Sequence, residues 1–474
     1  MILAGTLELT SKVRYGITSR GVPIFRFIPY DKRFSPMAVG CSQRNLFYNV
    51  HAIVEPSSSV NPGQLQRATM IQNLGRPTLD SELKVLLTTY AYDSRKEMKT
   101  APKIVDEIFI FTKAREFLPG KTFHIDPPGC LDVDDSFTMQ QTATNIWRIA
   151  INIADVCARV PENGDIDTFA KNRATSFYTP SGEAIVSMLP KEIEAQASLL
   201  PGEKKLTVSL IFNYNTAEKS ISDIKWQLTE TQTTTSYTYD QADAAFISCQ
   251  ELQVLNSLSK NLNKDDSNTV LSSHTWVESM MIFYNKQAGK LLASVGAGIL
   301  RRHVKANTMP SIEGVPEFLS YESAEFCLPG EDTFHWGLDS EFYAYASSPI
   351  RRYADLLNQR EIKRIVERQP IQKQTQDLVD SLNRRQKQAK AFSRDLFFAT
   401  NLSNHACNSD VVGIVIQEEK TKVWVQPWNR VITVKNLEQK LAIGSKVLIQ
   451  WYECREQPRW KDKIVFKLTQ YMCV

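Results

Sequence analysis

Four aspartates, Asp126, Asp132, Asp134 and Asp135, fall within one short segment, His124-Ile-Asp-Pro-Pro-Gly-Cys-Leu-Asp-Val-Asp-Asp-Ser-Phe, with the spacing D-x5-D-x-D-D. Carboxylates this close repel one another unless a cation neutralises them. In an extended strand Asp132 and Asp134 share one face while Asp135 points away. Convergence of all four therefore requires a bend, which Pro127, Pro128 and Gly129 supply. Hard oxygen donors with little nitrogen or sulfur beside them suit Mg²⁺, with Mn²⁺ as a substitute. An ion held by carboxylates and left open to water and phosphate serves phosphodiester cleavage or transfer.

Three other readings of these acids stand beside that one. The plainest is a solvated acidic turn. A calcium loop counted from Asp132 would put Phe137 at the sharp-turn glycine and Ala143 at the bidentate glutamate. Asp132-x-Asp134 also resembles the nucleophile and acid of haloacid-dehalogenase-type phosphatases. That pair ends a buried apolar strand, however, and Pro-Pro-Gly-Cys-Leu is not one.

A second stretch, Tyr345-Ala-Ser-Ser-Pro-Ile-Arg-Arg-Tyr-Ala-Asp-Leu-Leu-Asn-Gln-Arg, predicts a helix over 348–368 in which Ile350, Tyr353, Leu356 and Leu357 recur at helical spacing. A helix started by Ser-Pro offers backbone N–H groups to a phosphate, and Arg351 and Arg352 add guanidinium forks. An Arg-Arg pair alone reads equally well as a solvated face. Beside the acid loop it reads as the other half of one active site.

Taken together these residues resemble the ribonuclease II family, whose catalytic RNB domain carries an acid loop of this spacing and a Ser-Pro-Ile-Arg-Arg-Tyr segment. Further matches follow in order: Ile153-Ala-Asp-Val156, Arg173-Ala-Thr-Ser-Phe-Tyr-Thr-Pro180, Met188-Leu-Pro190, Ser198-Leu-Leu-Pro-Gly-Glu203, Ser236-Tyr-Thr-Tyr-Asp240 and Leu300-Arg-Arg-His303. The resemblance spans roughly residues 100–400. It implies 3′-to-5′ hydrolysis of single-stranded RNA to nucleoside 5′-monophosphates. Asp126, Asp132 and Asp135 would hold Mg²⁺, and Asp134 would sit by the terminal nucleotide and a second metal position. Arg351 would neutralise the reacting phosphate. Tyr178 would stack on the 3′-terminal base, and Tyr239, Glu278 and Arg352 would contact the last nucleotides. A catalytically silent RNA-binding protein of the same fold is the alternative. Departures from the family pattern are Gln359 where histidine is common, Ser347 for threonine, and a shortened segment between Tyr239 and Glu278.

The chain of 474 residues is too long for one core. The expected class is α+β and multidomain: a small OB-type barrel over 1–60, a strand and helix over 61–100, an RNB-type catalytic domain over 101–405 and a second small barrel over 406–474. Strands are predicted at 6–9, 13–17, 24–28, 37–41 and 49–54, with Pro56-Ser-Ser-Ser as a linker. Tyr15, Phe25, Phe27 and Tyr30 are candidate base-stacking aromatics. In the tail, so are Trp424, Trp428, Trp451 and Trp460.

Net charge is only +4, but arginines and lysines crowd residues 351–395, as a wall for a phosphate backbone would require. The eight cysteines show no C-x2-C spacing, which points away from structural zinc and toward a reducing, intracellular compartment. Nothing reads as a signal peptide or membrane span. The expected partner is single-stranded RNA, bound by a monomer or by a member of an RNA-degrading assembly. A site of this type should turn over RNA and leave DNA of equal length intact, because the 2′-hydroxyl distinguishes them. Comparable turnover of the two polymers on a gel would contradict it.

Overall fold

The computed structural model describes residues 1–58, 63–92, 94, 97–98, 115–304, 312–316, 319, 323–330, 332–404, 410–418, 421–434, 441–454 and 457–472. The chain divides into two units, residues 1–100 with 306–321 and 388–474, and residues 101–305 with 322–387. The expected domain boundaries at 100 and 405 lie outside the described residues.

The first unit begins with β1 (Leu3–Leu7), β2 (Ile24–Pro29), β3 (Met37–Gly40), β4 (Val50–Pro56) and β5 (Gln66–Gly75), closed into a barrel in the order β1-β2-β3-β5-β4. Two expectations are corrected here. Val13–Ile17 forms no strand, since Val13 and Ile17 stay 56% and 70% exposed and bury no face. The closing strand is β5, paired with both β3 and β4, so the barrel runs past residue 60 and Pro56 begins a connection between paired strands rather than a linker. Phe25 and Phe27 pack the barrel core and Tyr30 is buried against Tyr90 and Asp395, so none stacks on bases, while Tyr15 is half-buried. Helix α1 (Leu79–Tyr90) follows, started by a reciprocal cap between Thr78 and Ser81.

The second unit is built on a seven-stranded sheet of β6 (Glu116–Phe117), β7 (Lys121–Ile125), β8 (Asp135–Ala143), β9 (Ile146–Ala154), β12 (Lys205–Asn215), β13 (Ser220–Thr231) and β14 (Thr235–Tyr237), in the order β14-β7-β8-β9-β12-β13-β6. Alternation sorts the side chains. Phe123, Phe137, Ile151, Leu210 and Phe212 point into a core with Trp276, Met280 and Tyr284 of α6 (Ser273–Ser294). The opposite face carries a buried polar row. Thr122 and Thr138 share a hydroxyl bond of 2.8 Å, Asn152 donates to Thr138, Ser209 donates to Asn152, and Thr229 bridges Ser209 and Thr207. Between β9 and β12 lie α2 (Asp165–Arg173), the hairpin β10 (Phe177–Tyr178) and β11 (Ala184–Val186), and α3 (Lys191–Ala197). Helices α4 (Tyr239–Ala245) and α5 (Gln250–Asn263) precede α6, and the pair β15 (Leu300–Arg302) and β16 (Glu325–Cys327) follows it.

Helix α7 (Tyr353–Val366) starts five residues later than predicted, and the Ser-Pro-Ile-Arg stretch before it is a turn. Its basic residues are largely spent inside the unit: Arg360 bonds Asp167, Lys363 bonds Asp155, and Arg364 bonds Glu162 and Glu361. The expected phosphate-binding wall thus loses three of its members to internal ion pairs.

Helix α8 (Gln376–Asn404) leads back to the first unit, whose second β-domain is a curled sheet of β17 (Val411–Gln417), β18 (Lys422–Val425), β19 (Arg430–Thr433), β20 (Lys446–Glu453) and β21 (Ile464–Met472), in the order β19-β18-β17-β20-β21. Trp424 and Trp451 are buried and Trp428 packs against the same core, so none is a free stacking platform. The side chain of Trp460 lies outside the described residues. Within this unit, Lys463, just before β21, reaches Glu82 of α1 at 2.9 Å, and Tyr30 and Tyr90 both donate to the buried Asp395. No helix among the described residues is long and apolar enough to cross a membrane.

Asp155, after β9, is buried yet held below the usual carboxylate range. Burial works against this, and Lys363 and Arg115 outweigh it. Asp155→Ala would strand both cations in a dry site and should cost about 3–5 kcal/mol. A thermal midpoint equal to the parent's would refute this.

Candidate functional site

The acid loop is fastened at both flanks. Asp126 follows β7 directly, and its N–H donates to Tyr237 O of β14 at 3.1 Å. The chain then turns through exposed Pro127, Pro128 and Gly129, whose φ of 76° suits glycine. At the far end Val133 donates to Ser198 Oγ and accepts from Leu199 N–H, each at 3.0 Å. Asp134 O accepts from Ala154 N–H at 2.9 Å, and Asp135 opens β8 opposite Ile153.

Asp134 meets the second motif. Its Oδ1 accepts from Ile350 N–H at 2.8 Å and its Oδ2 from Arg351 Nε at 3.1 Å. The turn that brings these donors is itself clamped. Arg351 O accepts from Ser176 N–H at 3.0 Å, Tyr353 N–H donates to Ala174 O at 2.9 Å, and Ser348 N–H donates to Asp355 Oδ1 at 2.8 Å. The N–H groups expected to face a phosphate are therefore occupied: Ile350 serves Asp134, while Arg351 and Arg352 bond Ser348 O. Arg351 Nη2 bonds Ser348 Oγ, its Nη1 makes no hydrogen bond among the described residues, and the side chain is 46% exposed.

Among the described residues the carboxylates of Asp126 and Asp132 also meet protein side chains, and that of Asp135 meets none. Tyr178 OH donates to Asp132 Oδ2 at 2.6 Å, and Cys130 Sγ lies 3.5 Å from Asp132 Oδ1. His124 Nδ1 stands 2.8 Å from Asp126 Oδ2. Asp135 Oδ2 is buried with no partner. Burial pushes the Asp134 carboxyl up to about 7, against the pull of Arg351 and the Ile350 N–H. Asp135 is raised well above the carboxylate range by burial and then by Asp126 and Asp134.

Tyr239, at the start of α4, is pushed up to about 12 by burial with help from Asp126 and Asp135, which puts its hydroxyl in the field of the cluster. Its ring stacks on His274 with centroids 3.5 Å apart. Glu194 of α3 is likewise pushed up to about 7, chiefly by burial with Asp132 adding.

Two expected residues make no bond to the acid loop among the described residues. Arg352 turns inward, bonding Asp355 at 2.7 Å with its guanidinium 4.1 Å above the Tyr345 ring. Glu278 is exposed on α6 and makes no hydrogen bond or ion pair among the described residues. Three residues escaped the sequence reading: His124, Glu194 and His274. For His124 a signal existed, since residues two apart on a strand share a face.

Among the described residues no three His, Cys, Asp or Glu side chains are gathered closely enough to hold a metal ion as they stand. The chemistry of the donors still fits a hard cation. Asp126 Oδ1 and both oxygens of Asp135 make no hydrogen bond, Asp132 Oδ1 has only a thiol beside it, and one of the Asp135 oxygens is orphaned in the interior. Asp134 differs, because both its oxygens are taken by the turn.

Comparison with known proteins gives the following. The RNB domain family matches residues 115–267 and 318–368. A mouse 3′-5′ exoribonuclease is 31% identical over 130 residues, 27% of this chain and 4% of that protein. Exoribonuclease 2 of Haemophilus ducreyi is 24% identical over 364 residues, 57% of this chain and 55% of that one. The chain thus spans little more than half of that relative. In fold, RNase R of Mycoplasma genitalium, solved with ribose-methylated single-stranded RNA, matches with a TM-score of 0.73 at 15% identity, over 99% of this chain and 90% of that chain. A yeast pseudonuclease matches with a TM-score of 0.70 at 13% identity, over 96% and 68%.

A carboxyl with a raised folded pKa binds its proton more tightly in the folded chain. Its favourable contribution is complete below the ordinary carboxylate range and is lost as pH rises through the raised value. Without metal, Asp135→Asn should therefore raise the thermal midpoint relative to the parent by a margin that grows as pH rises above the ordinary carboxylate range. An equal margin throughout that rise would mean that Asp135 ionises normally.

Proposed function

We propose, for a chain that belongs to the ribonuclease II family by its RNB domain, a hydrolytic exoribonuclease that shortens single-stranded RNA from the 3′ end and releases nucleoside 5′-monophosphates with Mg²⁺. The observation that carries this reading is the junction at Asp134, where Ile350 N–H and Arg351, more than two hundred residues away in sequence, close on the acid loop. Arg351 has one edge anchored and Nη1 uncommitted, so it offers a fixed cation to a phosphate gaining charge. Such preorganised stabilisation is typically worth about 3–4 kcal/mol.

Asp126, Asp132 and Asp135 are the residues that would hold Mg²⁺, whose chemistry when bound is to lower the pKa of a water and draw charge from phosphate oxygen. Asp134 keeps the arginine in place. Tyr178, its hydroxyl anchored on Asp132, presents a half-buried ring for the terminal base. Tyr239 and Glu278 contact the last nucleotides, and Arg352 steadies the turn through Asp355. A single-stranded RNA substrate follows from the family, with monomeric action or membership of an RNA-degrading assembly both compatible.

The second reading is a silent RNA-binding protein. It draws on the carboxylates that are not gathered as they stand, and on the occupied oxygens of Asp134. End-labelled oligo(A) with Mg²⁺ separates the two. A ladder shrinking from the 3′ end with 5′-monophosphate product is expected, and binding without product would favour the silent protein. Asp134→Asn should nearly abolish cleavage while RNA affinity holds or rises slightly, because a negative charge near the phosphate is lost. Cleavage by that variant near the parent rate would sink the assignment of the acid loop.

A further inference from the structure

We propose that His124 is a positioning residue for Asp126: its imidazole holds one carboxylate oxygen so that the other faces the divalent cation. This rests on the acid loop being a metal site. Strand alternation puts Phe123 and Ile125 into the apolar core of the sheet and leaves Thr122 and His124 on the face with the polar row. On that face His124 is 3% exposed, and its Nδ1 lies 2.8 Å from Asp126 Oδ2.

A hydrogen bond to a carboxylate requires the proton on Nδ1. Nε2 of a neutral ring then carries a lone pair, and that atom is buried with no partner. A residue kept only to fill space would be apolar and would leave no orphan. The imidazole leaves Nε2 unsatisfied while meeting one requirement, a donor aimed at Asp126. The backbone of Asp126 is fixed independently by its N–H on Tyr237 O. Main chain and one carboxylate oxygen are therefore both held, and the remaining oxygen, Oδ1, is directed in a half-buried and accessible position.

Asp132 is restrained in a comparable way, by Tyr178 OH on Oδ2. Carboxylates that bind metals are commonly oriented by such outer hydrogen bonds, whose loss weakens metal binding by ~10–100-fold.

The test uses the full chain without RNA and Mn²⁺ as the probe, with free Mn²⁺ counted by electron paramagnetic resonance and folding checked by circular dichroism. His124→Leu should raise the Mn²⁺ dissociation constant ~10–100-fold. His124→Asn, whose amide nitrogen falls where Nδ1 stands, should stay close to the parent, and His124→Gln, whose donor falls near Nε2, should behave like the leucine variant. If His124→Leu fails to fold, the contrast between Asn and Gln decides. Unchanged Mn²⁺ binding in a folded His124→Leu, or equal loss in Asn and Gln, would overturn the proposal while leaving the metal site standing. A parent protein that takes up no Mn²⁺ would overturn the metal reading and this proposal together.

Discussion

The buried carboxylate of Asp134 is the contact on which the site depends. It is 3% exposed and accepts two hydrogen bonds from one turn, a backbone N–H and a guanidinium. An aspartate in so dry a place needs both, since either donor alone would leave an ionised oxygen unpaired. The turn supplies both because Ser348 is tied to Asp355 and the strand-like backbone at Arg351–Tyr353 is tied to residues 174–176. Acid loop, arginine and the Tyr178 segment are thereby one mechanical assembly.

The other aspartates carry the opposite burden. Asp126 gives one oxygen to the protein and keeps one back, Asp132 gives one to Tyr178 and has only the weak Cys130 thiol on the other, and Asp135 keeps an unsatisfied oxygen in the interior. Their mutual repulsion is left unresolved by the chain itself, which contrasts with Asp155, where Lys363 and Arg115 resolve it completely. Two kinds of buried acid thus sit on the same sheet. One is a strut and the other is poised for a cation.

Much of this was legible in the sequence because carboxylate spacing and the Ser-Pro-Ile-Arg-Arg stretch are local. So were β9, β12 and α6, where long apolar periodicity leaves little choice. What failed was non-local. Arg352 follows Arg351 directly, yet one faces the acid loop and the other Tyr345, a difference set by the clamp on Thr175 and Ser176 and invisible in spacing. Ser-Pro read as a helix start, but the N–H groups that a helix would have freed were claimed by Asp134 and Ser348. Gln66–Gly75 alternates weakly and reads as a connecting strand outside the barrel, whereas Val13–Ile17 has strand-forming residues but gains only an isolated bridge from Ile17 to Pro23, with Val13 and Ile17 left exposed. Aromatic residues in the barrels misled for a simpler reason: a small barrel needs Phe25 and Phe27 inside before it can offer any outside.

The polar row across the large sheet has a direction. Ser209 donates to Asn152, so it must accept from Thr229, which must accept from Thr207. Asn152 donates to Thr138, which shares a further hydroxyl bond with Thr122. The amide of Asn152, with distinct ends, sets the order of the hydroxyls of Ser209, Thr229 and Thr207. A one-residue slip of any strand would replace these partners with apolar ones. The row therefore acts as a register lock, keyed by a single asparagine, on the two strands between which the acid loop is strung.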